Sequence, residues 1–182
     1  MKRCLPLLLI CLLLTACGRD RVTLRWADRA DALAGRETLA FTAALTASYP
    51  DKTDHFTLRY ERDSDGETVT VRQPETIAGL RARVREGATS LEFDSLILDT
   101  GPLDDYGLTP MTALPLLAEM LAAGHLDSWS REDGGLCLEL VRDDRLRARV
   151  WVTADTLTPT GAQLISDGRV TVDCTIEDWR EP

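Results

Sequence analysis

The sequence is short of the groups on which most enzymes depend. Its 182 residues include two histidines and no asparagine, and aromatic side chains make up 5% of it. Proton transfer and nucleophilic attack need a base and an orienting partner within reach of each other. His55 falls beside a strand start and His125 just past a helix end, and a structural role accounts for both, the second as a favourable charge at a helix C-terminus. No Gly-x-Ser-x-Gly elbow, His-Glu-x-x-His pair or phosphate-binding loop occurs. Cations are in deficit as well: 21 Lys and Arg face 30 Asp and Glu, for a formal charge of −9. That balance excludes a broad electrostatic grip on nucleic acid or on an anionic membrane surface.

The apolar run from Leu5 to Leu14 is too short to cross a bilayer as a helix, but it suits the h-region of a secretory signal, with Lys2 and Arg3 as its basic start. It ends in Leu14-Thr15-Ala16-Cys17, which resembles the lipobox of bacterial lipoproteins. The resemblance implies a signal peptide over residues 1–16, removed to leave a diacylglycerol-bearing Cys17 as the first residue. Removing that segment leaves 19 cations against 30 acids, a mature charge of −11, so no polybasic second anchor supports the lipid. From Gly18 to about Arg25 the chain is polar with little periodicity, and residues 17–27 read as the lipidated cysteine and a short tether to one domain over 28–182.

The remaining chemical motifs are weak. The pairs Asp104-Asp105 and Asp143-Asp144 sit in turn-like polar segments, where solvated carboxylates are expected. Asp63-Ser64-Asp65-Gly66-Glu67 has Thr68 where a calcium loop needs its sixth-position glycine, so it reads as a hairpin turn. Cys4 and Cys11 leave with the signal, and Cys137 and Cys174 form no paired metal motif. An oxidising compartment permits a disulfide between these two. Their alternation places them on opposite sheet faces, and a simple meander separates them by three strand spacings, about 14 Å, so both are expected as free thiols. No metal or cofactor is called for.

Along the rest of the chain the pattern alternates between helix and strand. Asp28–Tyr49 is rich in Ala and Leu and reads as an amphipathic helix interrupted at Gly35 and ended by Pro50. Phe56, Leu58 and Tyr60 then alternate with polar residues, Asp65-Gly66 makes a hairpin, and Val69 and Val71 share a face. Leu80, Ala82 and Val84 alternate with Arg81, Arg83 and Arg85, and Glu86-Gly87 turns the chain into strands around Leu91–Phe93 and Leu96–Leu98. A helix capped by Thr109-Pro110 or Thr112 runs to Ala123, with Pro115 in its first regular turn and Gly124 suited to a left-handed stop. It is apolar all round, with Glu119 its only charge. Further strands follow around Leu126–Ser130, Leu136–Leu140, Leu146–Val152, from Ala162, and from Val170 to Ile176. The arginine rows 81, 83, 85 and 147, 149, set among acids, read as a solvated outer face, and the four tryptophans as scattered core or rim residues.

The whole reads as an α+β domain: a curved antiparallel β-sheet of about nine or ten strands, an open half-barrel, with helices packed on its concave face. This order of elements resembles the LolA/LolB-like lipoprotein-carrier fold. The resemblance is strongest from Tyr60 to Leu121, where a hairpin, Pro74-Glu75-Thr76-Ile77-Ala78-Gly79-Leu80, the strand Leu91-Glu92-Phe93-Asp94 and a Pro-bearing helix follow in order. It implies binding of an acyl chain or other apolar ligand, and a lipid anchor is closer to the receptor and mycobacterial-type members than to the soluble shuttle. A helix that is apolar on every side either sits wholly in the core or offers one side to a ligand. On the second reading the cavity is lined by Phe56, Tyr60, Val71, Leu80, Val84 and Phe93 of the sheet and Met111, Leu114, Leu117, Met120 and Leu121 of the helix. The expectation is therefore a membrane-anchored, extracytoplasmic, non-enzymatic lipid-binding protein. The alternative is a protein-interaction or envelope-sensing module that meets a protein partner through its charged face or the loop at Gly101–Leu108.

Overall fold

The structure is a computed structural model that describes residues 20–85, 88–99 and 109–181. The signal segment, Cys17, the Glu86-Gly87 turn, the loop at 101–108 and the Asp104-Asp105 pair lie outside the described residues. Helix α1 spans Arg21–Ala34. Six strands follow: β1 (Leu39–Ser48), β2 (Thr53–Asp63), β3 (Gly66–Gln73), β4 (Arg81–Arg85), β5 (Ala88–Phe93) and β6 (Leu96–Asp99). Helix α2, Pro110–Ala123, precedes five more: β7 (His125–Glu132), β8 (Gly135–Val141), β9 (Leu146–Thr153), β10 (Pro159–Ser166) and β11 (Arg169–Arg180).

All eleven strands form one sheet in the order β6-β5-β4-β3-β2-β1-β11-β10-β9-β8-β7. Every pairing is antiparallel, and two hairpin series are joined where β1 pairs with β11. That seam runs from Ala40 opposite Arg180 to Ala47 opposite Val172. Leu39, Phe41, Ala43, Leu45 and Ala47 of β1 all turn inward and are buried. The α+β class and the half-sheet order are as the sequence implies. The strand count is higher, because Leu39–Ser48 is a central strand and not the second half of a helix. Its Ala- and Leu-rich composition favours helix, but a strand with both neighbours paired buries one whole row, and tertiary packing overrides propensity.

The second correction concerns the expected tether. Residues 21–34 form a helix, capped by the Asp20 carboxylate accepting from the Val22 N–H at 3.4 Å. Val22, Trp26 and Leu33, spaced for one helical face, are buried. Arg25 donates to the carbonyls of Ala154 and Asp155, and Arg29 pairs with Glu181. Residues 21–27 are thus an integral layer of the domain. Helix α1 packs on α2, which lies against β2, β3, β8 and β10, so both helices occupy one face of the sheet.

In α2, Thr109 and Thr112 cap each other reciprocally, and Pro110 opens the first turn. Pro115 therefore stands inside the helix and not at its first turn. Gly124 ends it with φ −66° and ψ 140°, an extended conformation open to any residue. Space, not left-handed geometry, fixes this glycine: a Cβ there would stand 2.4 Å from the Met120 carbonyl oxygen. Cys137 and Cys174 are both free and buried. They lie on β8 and β11, three strands apart, and burial pushes the Cys174 thiol up to about 12.

Two outcomes follow from this packing. Trp26→Ala is expected to lower stability by about 3–5 kcal/mol in urea unfolding, as for a large core truncation; a loose tether would change it by no more than about 0.5 kcal/mol. Both thiols are expected to resist Ellman's reagent in the native protein and to titrate fully in denaturant.

Candidate functional site

The register defines which side chains share the helix-covered face. One rung runs Phe41–Tyr60–Val69–Ala82–Leu91–Leu98 across β1 to β6. A second holds Ala43, Leu58 and Val71, continues through the Val71 N–H donating to the Leu80 carbonyl, and reaches the pair Phe93–Leu96. In the other half, Leu45–Cys174–Ala162–Val150–Leu138–Trp129 forms the corresponding rung. Aromatic contacts tie the first rung to the seam: the Phe41 ring lies 4.9 Å from Tyr60 and 5.0 Å from Trp179.

Exposure rises steeply toward one edge. Tyr60 and Phe41 are fully buried, whereas Leu98 is 59%, Phe93 41% and Leu96 71% exposed. Of the residues expected to line a cavity, Tyr60, Val71, Leu114, Leu117, Met120 and Leu121 are buried in the packed core. Phe56, Leu80 and Met111 pack partly buried against it, Val84 is half-buried, and Phe93 is exposed. The six sheet-side residues share the helix-covered face, and the eleven range from solid core to open surface.

A polar rung borders the apolar ones, and its polar members are not among the expected site residues. Leu39, Arg62, Glu67, Val84 and Thr89 are in register on this same face. The Tyr60 hydroxyl donates to Glu67 Oε1 at 2.9 Å. Burial holds the Glu67 carboxyl above its usual range, opposed by the Tyr60 hydrogen bond and Arg62 and reinforced by Glu119 of α2. Arg62 itself donates to the carbonyls of Leu33 and Arg36, satisfying the end of α1. Thr89 is buried. The available signal was parity: Glu67 shares its row with Val69 and Val71, and Arg62 with Leu58 and Tyr60.

The opposite face is charged and largely self-paired. Arg149 meets Glu139 at 2.8 Å, Arg147 meets Asp127 at 3.6 Å, and Arg85 meets Asp65 at 3.7 Å. His55 contacts Thr46 through Nδ1 at 3.1 Å on this face, whereas His125 starts the edge strand β7. Asp63 to Gly66 form the β2–β3 turn, with the Asp65 N–H donating to Asp63 Oδ1. Among the described residues no group of three His, Cys, Asp or Glu side chains converges as a metal site would require.

No protein-family model matches the sequence, and no curated protein matches it. Solved structures do match it in fold. A LolA superfamily protein from Nitrosomonas europaea is similar with a TM-score of 0.51 and 14% identity, over 88% of this chain and 93% of that one. An uncharacterized conserved protein from Thermus thermophilus is similar with a TM-score of 0.54 and 10% identity, over 89% of this chain and 88% of that one. The chain shares the LolA-like fold with the first of these, in agreement with the order of its elements.

The raised Glu67 carboxyl has a pH signature. In the folded state it holds its proton more tightly than in the unfolded chain. The stability it contributes is present below the ordinary glutamate value and is lost as pH rises through the folded value. Glu67→Gln keeps an acceptor for Tyr60 without the charge. Its stability relative to the parent is expected to increase between about pH 4 and pH 7, by no more than about 1 kcal/mol because solvent screens a half-buried group. Urea unfolding at the two pH values checks this; a difference that is constant with pH contradicts it.

Proposed function

We propose that this chain is a bacterial envelope lipoprotein, held at a membrane by lipid on Cys17, that takes up an acyl chain or other apolar ligand on the helix-covered face of its sheet. It catalyses no reaction, and the process it serves is lipid or lipoprotein transport. The observation that carries the reading is the exposure gradient along the apolar rungs. The same row that is solid core at Phe41 and Tyr60 ends on Leu98 at 59% exposure, beside Phe93 and Leu96. Large apolar side chains gathered on one face of a soluble domain mark a binding surface more often than a neutral one. The LolA-like fold supports the reading, since it presents one sheet face to helices and leaves the other to water.

The ligand enters between the β4–β6 end of the sheet and α2, with Val84, Leu80 and Phe93 on one side and Met111 on the other, and the buried Leu114 behind it. Phe56, Tyr60, Val71, Leu117, Met120 and Leu121 form the wall behind them. The anchor follows from the lipobox-like segment: two or three acyl chains at about 0.8 kcal/mol per buried methylene make release from a membrane rare.

Two experiments test this. Protein beginning at Gly18, which holds every residue of the described fold, is purified and examined by native mass spectrometry, then titrated with a fluorescent fatty acid. Co-purified lipid and saturable binding are expected, and Phe93→Asp or Leu98→Asp is expected to weaken the probe at least about tenfold, equivalent to ~1.4 kcal/mol. A lipid-free protein that ignores the probe overturns the reading and favours a protein-interaction or sensing module. For the anchor, growth with an alkyne fatty acid is expected to label the full chain and not its Cys17→Ala variant.

A further inference from the structure

The two edges of the sheet are built differently. β7 carries His125, Asp127, Arg131 and Glu132, and its pairing shifts register between Leu126 and Ser128. Charges and irregularities of this kind keep an edge strand from pairing further. β6 has neither over its first three residues: Leu96, Ile97 and Leu98 are all exposed, and its register with β5 is unbroken. Leu96 and Leu98 lie on the helix-covered face opposite Phe93 and Leu91, while Ile97 lies on the outer face opposite Glu92. Both faces of this edge are therefore apolar, and among the described residues no strand pairs with its far side. Such a strand gains by accepting another one.

We propose that the strand it accepts is β6 of a second copy of this chain, paired antiparallel about Ile97. The segment Ser95-Leu96-Ile97-Leu98-Asp99 reads almost the same in both directions. Antiparallel pairing centred on Ile97 sets Leu96 opposite Leu98 of the second copy, Ile97 opposite Ile97, and Asp99 opposite Ser95. Apolar residues meet on both faces, and no like charges stand directly opposed. The two-fold relation makes the contact self-complementary and closed, so it stops at two copies and does not propagate.

At this edge charge does not oppose the pairing. The chain carries a net charge of −9, so two copies repel over most of their surfaces and can meet only across a nearly uncharged seam. A basic partner would be matched by an acidic edge, and β6 has one acid in four residues. The pairing uses backbone groups and the side chains of Leu96, Ile97 and Leu98, leaves the polar rung at Glu67 untouched, and joins the apolar faces of the two copies into one surface. It goes beyond the proposed ligand site and does not depend on it.

Sedimentation velocity over a concentration series of the Gly18-start protein tests the pairing. A reversible dimer is expected. Ile97→Lys is expected to weaken it at least about tenfold with circular dichroism unchanged, while Ser128→Lys on the opposite edge leaves it intact. Ile97→Cys provides a second readout, since facing positions of an antiparallel pair are within disulfide reach. It is expected to form a cross-linked dimer under mild oxidation, and Leu24→Cys on α1 is not. A parent protein that stays monomeric, together with an Ile97→Cys variant that does not cross-link, overturns the proposal. The same holds if the β6 amides that point away from β5 are protected from exchange in that monomer, because the edge is then covered by the chain's own residues. Fatty-acid binding by Ile97→Lys is measured alongside, so that loss of the dimer and loss of the ligand site are read separately.

Discussion

The seam between β1 and β11 is the interaction on which the rest of the structure depends. It pairs the first strand of the domain with the last, in the middle of an eleven-stranded sheet. Without it the chain is two separate hairpin series, each with an extra edge of unpaired backbone. The inward residues of the seam are buried and apolar, Leu39, Ala43, Leu45 and Ala47 from β1 and Val172, Cys174 and Ile176 from β11, and Phe41 lies between Tyr60 and Trp179. Such a pairing joins residues far apart in sequence, so its loop-closure cost is met before its contacts form. Helix α1 then ties both ends together again through Arg29 and Glu181.

Given the seam, one face of the sheet must be covered along its whole width, and two helices of 14 residues each do that work. Their cover is uneven. α2 lies against β2, β3, β8 and β10, and the β5–β6 end keeps Phe93, Leu96 and Leu98 exposed. The same row of side chains is thus core at one end and open surface at the other. An apolar guest placed there continues a surface the fold has already built, which is why burial of ligand and packing of the domain draw on one driving force. On the outer face several arginines are instead matched to acids, as Arg149 is to Glu139 and Arg147 to Asp127.

Much of this was legible in the sequence, and the failures have physical causes. The alternation of Phe56, Leu58 and Tyr60, the Asp65-Gly66 hairpin, and the separation of Cys137 from Cys174 all held. β1 reads as helix because Ala and Leu satisfy a 3.6-residue period about as well as a period of two; Leu39, Phe41, Ala43, Leu45 and Ala47 carry the period of the strand. α1 reads as a tether in sequence because its polar majority masks the stripe of Val22, Trp26 and Leu33, which acquires meaning only against α2. Glu67 follows a turn signal, which hides its inward parity with Val69 and Val71. The gradient from buried to exposed side chains could not be read at all, since it depends on where two helices happen to stop.

The central claim is that the apolar rungs at the β5–β6 end receive an apolar guest. Methyl-labelled leucine and isoleucine NMR during titration with a straight-chain fatty acid tests it most directly. The account predicts saturable shifts at Leu91, Leu96 and Leu98, with the methyls of Ile97, on the outer face, least affected. Shifts that are absent, or spread evenly over exposed methyls such as those of Leu24, would contradict it.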